Sequence, residues 1–137
     1  MRKALEEALT ALGKYEIPVG AVVVCGGKVI ARAHNLSETL NDPTAHAEMQ
    51  AITSACNTLG GKYLDQCTLY VTLEPCPMCA GALAWAQLGR LVYAASDPKR
   101  GYSLITDRIL HPKTEVSAGI LATEAGKLLK DFFCMLP

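Results

Sequence analysis

Two hydrophobic periods alternate along the chain. Met1, Leu5, Ala8, Leu9 and Leu12 recur at helical spacing and predict an amphipathic first helix closed by Gly13. Val19-Gly20-Ala21-Val22-Val23-Val24 is continuously apolar and rich in β-branched residues, as a buried strand requires. Gly26-Gly27 supplies a turn, and Lys28 to Ala33 alternates as the second strand of a hairpin. A polar loop runs from His34 to Asn41. Asp42-Pro43-Thr44 then predicts the start of a second helix, with Asp42 or Thr44 as its cap and Pro43 in its first turn. Ala45, Met49, Ile52, Cys56 and Leu59 share the apolar face of that helix, and Gly60-Gly61 stops it.

The second half repeats the alternation. Thr68 to Leu73 reads as a third strand, and Pro75 to Cys79 lead into a short helix from Ala80 to Gln87. Leu91 to Ala95 forms a fourth strand and Glu115 to Ala118 a fifth. The last helix runs from about Thr123, with Leu121, Ala125, Leu128, Leu129 and Phe132 on its apolar face. From Ser96 to Pro112 the pattern weakens, and so long an aperiodic stretch is usually functional or mobile. Helices alternating with strands in this order predict a three-layer α/β domain with a mixed sheet.

Composition narrows the picture. The 137 residues suit one domain, and 50% of them are hydrophobic, enough for a core without disulfide staples. No apolar run is long enough to span a bilayer, and Met1 to Glu7 is charged and helix-like rather than a signal peptide. These features predict a cytoplasmic protein. The 6 cysteines are then expected as reduced thiols or metal ligands. The 13 basic and 13 acidic residues balance, which gives no support to general nucleic-acid affinity but leaves a local basic patch open.

Two clusters carry chemistry, His46-Ala47-Glu48 and Pro75-Cys76-Pro77-Met78-Cys79. Cysteines three apart at a helix start lie on one face, so both sulfurs can reach one ion, and the helix N-terminus favours their thiolates. A neutral imidazole from His46 completes three protein ligands. Three ligands on zinc leave a fourth position for water, the mark of a catalytic site, and zinc lowers the pKa of that water toward ~7. Glu48 is the candidate proton carrier. Residues two apart on a regular helix diverge, so His46 and Glu48 converge only in a first helical turn, where Asp42-Pro43-Thr44 is expected to place them. Cys56 reads as core, Cys25, Cys67 and Cys134 as small hydrophobes, and His34 and His111 as structural or solvent-facing. Trp85 falls at core spacing and reads as packing.

Together the two clusters form the signature of zinc-dependent base deaminases. The flanking residues extend the likeness. Ile17 to Val22, Asn35, Asp42 to Glu48, Thr72 to Ala82, Asp97-Pro98-Lys99, Gly119-Ile120-Leu121 and Asp131-Phe132-Phe133 resemble the bacterial tRNA-specific adenosine deaminases. The resemblance implies a three-layer α/β/α cytidine-deaminase-like domain over residues 1–137, with a five-stranded mixed sheet. It implies one zinc per chain on His46, Cys76 and Cys79, and Glu48 as the catalytic proton shuttle. Water would attack carbon 6 of adenine and ammonia would leave, giving inosine in the tRNA anticodon. Asn35 would hydrogen-bond the target nucleoside, the Ala47 backbone would hold the base edge, and Val19 would line the pocket. A homodimer is implied, with the tRNA anticodon arm as partner and residues 96–112 as a substrate-side loop.

Two features depart from that family. The chain ends at Cys134-Met135-Leu136-Pro137 without an arginine cluster, and the segment after Lys99 is shorter and less glycine-rich. RNA affinity draws on phosphate contacts, which here would fall to Arg100, Arg108, Lys113, Lys127 and Lys130 if they share a face. The nearest alternative keeps the chemistry on a small nucleobase such as guanine, since guanine deaminases share Asp-Pro-Thr-Ala-His-Ala-Glu and a tryptophan near Trp85. Another class is a thiol–disulfide oxidoreductase built on Cys76 and Cys79, which leaves His46 and Glu48 without a role. A structural zinc module would want a fourth protein ligand.

Overall fold

A computed structural model describes residues 1–136. Its elements are helix α1 (Arg2–Gly13), strands β1 (Gly20–Cys25) and β2 (Lys28–His34), helix α2 (Ala47–Leu59), strand β3 (Cys67–Leu73), helix α3 (Pro77–Trp85), strands β4 (Arg90–Ala95) and β5 (Glu115–Ala118), and helix α4 (Ala122–Cys134). A single 3-10 turn at Tyr102–Leu104 interrupts the long aperiodic segment.

The five strands form one sheet in the order β2-β1-β3-β4-β5. β1 pairs antiparallel with both β2 and β3, whereas β3, β4 and β5 run parallel. The sheet is therefore mixed, with a three-layer arrangement. α1 and α4 touch each other and the sheet, while α2 lies on β1 and β2 and touches α3, and these two helices share the core around Ala51, Ala80 and Leu83. This is the cytidine-deaminase-like α/β fold the resemblance implies. Among the described residues, no helix is long and apolar enough to cross a membrane.

The register sets one edge of the sheet apart. Gly20 lies opposite His34, Ala21 opposite Val71, and Leu73 opposite Ala95. The start of β1, the end of β2 and the carboxyl ends of β3 and β4 therefore share an edge. β3 is also where the pairing changes from antiparallel to parallel. Ligands in α/β sheets bind outside the carboxyl ends of strands at such points.

Several predicted faces are corrected. α1 buries Ala4, Ala8 and Ala11 rather than the leucine stripe, and Leu9 is 52% exposed. The reason is close approach: a Cβ on Gly20 would run into the Ala4 carbonyl and the Ala8 backbone, so only small residues fit between α1 and β1. α2 buries Ala47, Glu48, Ala51 and Ala55, one position off the predicted face, while Ile52 and Cys56 pack at its margin and Leu59 is exposed. Trp85 is 86% exposed and takes no part in the core; Ala80, Leu83 and Ala86 do instead. α4 keeps its predicted face, with Ala125 buried and Leu128, Leu129 and Phe132 half-buried.

Candidate metal and active site

Two helix N-termini converge on the selected edge. α2 begins at Ala47 with His46 as its N-cap, in extended conformation. α3 begins at Pro77 with Cys76 as its N-cap, three residues earlier than the expected Ala80. Cys79 therefore occupies the first turn of α3, and both helix dipoles point positive ends at the sulfurs.

Asp42-Pro43-Thr44 does not cap α2, contrary to expectation. The Asp42 carboxylate accepts from the Thr44 amide at 2.8 Å and its hydroxyl at 2.7 Å, which makes a local turn. The Ala45 amide bonds the Asp42 carbonyl and the His46 amide bonds the Thr44 carbonyl, so the turn consumes the chain's hydrogen bonds one step before the helix. The convergence of His46 and Glu48 survives in another form. His46 is outside the helix and Glu48 is its second residue, so the opposing directions of a regular helix do not apply.

His46 Nδ1 lies 3.6 Å from Cys76 Sγ and 3.5 Å from Cys79 Sγ. One ligand atom from each of the three residues falls within 4.8 Å of the others, a group able to hold a metal ion. A hydrogen bond with Cys79 is the largest effect on Cys76; against burial, and with His46 helping, it holds that thiol down at about 4. The same bond, burial and the Glu48 charge push Cys79 up. The Cys76 sulfur raises His46 against the opposing effect of burial. A borderline-soft cation suits an imidazole and two sulfurs, one already a thiolate.

Glu48 is 4% exposed, and burial pushes its carboxyl up to about 7; the Cys76 charge adds to this while His46 and Cys79 oppose it. Asn35 is 5% exposed at the end of β2, and its Oδ1 accepts from the Ser37 amide at 3.2 Å. The Asn35 amide bonds the Val19 carbonyl at 3.1 Å, and the Leu36 amide bonds the Ala45 carbonyl at 2.9 Å. Those bonds tie Val19, Asn35 and the approach to His46 into one wall. Ala47 is fully buried as the first residue of α2, where the helix does not consume the backbone N–H. His34 is held by Glu7 and Lys14, each at 3.0 Å.

Two buried carboxylates beside this edge escape the hydrophobic pattern, Glu16 and Glu74. Each stands alone between apolar neighbours and a proline, in Glu16-Ile17-Pro18 and Leu73-Glu74-Pro75. A charge trapped in such a setting was the signal available, because a buried carboxylate must find donors.

Comparison with known proteins agrees with this geometry. A profile of the MafB19-like deaminase family matches residues 1–136. The fold and the His/Cys/Cys group thus define a hydrolytic deaminase. A tRNA-specific adenosine deaminase of Bacillus subtilis (strain 168) is 47% identical over 138 aligned positions, covering 97% of this chain and 86% of the relative. A solved structure from work on A-to-I editing by tRNA:A34 deaminases superposes with TM-score 0.88 at 43% identity, covering 94% of this chain and 97% of that one. A guanine deaminase from Bacillus subtilis reaches TM-score 0.66 at 46% identity over only 69% of this chain and 61% of its own. The chain belongs to the tRNA-specific adenosine deaminase family.

Proposed function

We propose that this protein hydrolyses adenosine to inosine at the wobble position of tRNA, as one zinc-dependent deaminase domain over residues 1–137. The convergence of His46 Nδ1, Cys76 Sγ and Cys79 Sγ beside the buried Glu48 carries the reading. The likeness to tRNA-specific adenosine deaminases over nearly the whole chain supports the substrate.

His46, Cys76 and Cys79 would hold the zinc, which when bound would supply the Lewis acidity that makes water a competent nucleophile at neutral pH. The Glu48 carboxylate takes one proton of the attacking water and passes it to the ring nitrogen beside carbon 6, then takes the proton of the hydroxyl left on that carbon and passes it to the departing amine. Burial keeps that carboxyl out of bulk water, as a positioned acid–base group requires. The net change replaces the amine on carbon 6 by oxygen and releases ammonia. Ser37 occupies Asn35 Oδ1, which orients Asn35 to donate through Nδ2 to the nucleoside. The Ala47 backbone binds the base edge and Val19 walls the pocket.

The same reading makes the enzyme a cytoplasmic homodimer. Apolar side chains left exposed at Trp85, Leu104 and Ile105 are in keeping with an interface, and sedimentation tests it. For the substrate, inosine formation in an anticodon stem-loop is measured beside ammonia release from guanine, adenosine and cytidine. The proposal expects inosine in the stem-loop, with a rate that falls as salt rises. Turnover of guanine without RNA activity would overturn it.

A further inference from the structure

Glu16 and Glu74 make the same set of bonds in two places. Glu16 is fully buried between α1 and β1, and its carboxylate accepts from the Glu38 amide at 2.9 Å, the Thr39 amide at 2.6 Å and the Thr39 hydroxyl at 2.6 Å. Glu74 is 3% exposed at the end of β3. It accepts from the Asp97 amide at 3.1 Å, the Ser103 amide at 3.1 Å and the Ser103 hydroxyl at 2.6 Å. Each carboxylate thus takes two backbone amides and one hydroxyl from a single loop.

The loops they hold flank the candidate site. Glu16 grips the segment that follows Asn35. Glu74 grips the segment that follows β4, whose Tyr102 amide also bonds the Pro75 carbonyl at 2.9 Å, one residue before Cys76. A Cβ on Gly101 would collide with the Glu74 carboxylate, so the second loop is wrapped closely around it.

We propose that Glu16 and Glu74 are paired positioning residues that hold the 36–41 and 97–103 loops in the shape that receives substrate. The inference rests on the deaminase reading for what the loops receive. A carboxylate fits because every partner is a donor; glutamine would turn one acceptor into an NH2 facing an N–H. Loops held before binding contribute their ordering in advance.

The test compares Glu16→Gln, Glu74→Gln, Thr39→Val, Ser103→Ala and the conservative Ser103→Thr as zinc-loaded proteins. Three quantities are read: zinc content, amide hydrogen exchange in both loops, and KM and kcat on an anticodon stem-loop. A loop competent about a tenth of the time raises KM about tenfold and leaves kcat nearly unchanged. The expected result is full zinc, faster exchange confined to the loop whose latch is cut, that rise in KM, and wild-type behaviour for Ser103→Thr. Unchanged loop exchange and unchanged KM in folded variants overturn the proposal. If the glutamine variants do not fold, the two exposed hydroxyl deletions decide it by the same exchange reading. A wild-type protein that makes no inosine defeats the functional reading instead, and exchange still reports whether the carboxylates hold the loops.

Discussion

His46 Nδ1 lies 3.5 Å from the sulfur of Cys79, across 33 positions of sequence. The contact joins the N-cap of α2 to the first turn of α3, so the group that can hold a metal spans two elements. Removing either partner should cost the ion. We expect about one zinc per purified wild-type chain, and near none for His46→Ala or Cys79→Ser, by elemental analysis. Zinc retained at full occupancy in His46→Ala would remove that residue from the ligand set.

Glu48 sits beside the same sulfurs without being one of the three clustered ligands. Glu48→Gln should therefore keep zinc and fold normally while kcat falls by about 10²–10⁴-fold, the usual contribution of a positioned acid–base group. Single-turnover inosine formation measures it, and activity within threefold of wild type would exclude Glu48 as the proton carrier.

Glu16 links the fold to pH. Burial alone would raise its carboxyl, but hydrogen bonds from Thr39 and Glu38 outweigh it and leave the pKa below the ordinary value. A depressed folded pKa means stabilisation that is complete above the unfolded pKa and lost as pH falls through the folded one. Glu16→Gln should lower stability near pH 7 by about 1–3 kcal/mol. Denaturant titrations at falling pH should show the gap to wild type closing in acid. A gap independent of pH would mean the carboxylate charge does not matter.

Gly20 and Gly13 offer a paired test of packing. A Cβ at Gly20 meets the α1 backbone, whereas one at Gly13 meets nothing within 4 Å. Gly20→Ala should destabilise by about 1–3 kcal/mol through overpacking, and Gly13→Ala should be neutral or stabilising by up to about 1 kcal/mol. Thermal melts at one pH compare them directly.

Trp85 gives the opposite forecast from its sequence spacing. With 86% of its surface exposed, Trp85→Ala should change monomer stability by no more than about 0.5 kcal/mol. A loss of several kcal/mol that grows with protein concentration would place Trp85 in a subunit interface.

The strands were readable because β-branched runs and turn glycines act locally. β5, only Glu115–Ala118, fell where expected even though its burial is slight. The chemistry was readable for a related reason: His46, Glu48, Cys76 and Cys79 are few, reactive types at short fixed spacings. The helix faces were not. α1 and α2 carry large apolar residues and alanines on neighbouring stripes, and hydrophobicity favours the larger residue. Here β1 comes so near α1 that alanine must face inward.

The start of α2 separates the two kinds of information most clearly. Asp42-Pro43-Thr44 has every local mark of a helix cap, yet Asp42 spends its side chain on Thr44 and the helix waits until Ala47. By itself, the sequence determined the order of elements, the mixed α/β class and the residues able to bind a metal, because these depend on local period and residue chemistry. Only the tertiary structure decided which faces are buried and that Glu16 and Glu74 each close on a distant loop. Those outcomes depend on how closely backbones approach and on where a buried charge finds its donors.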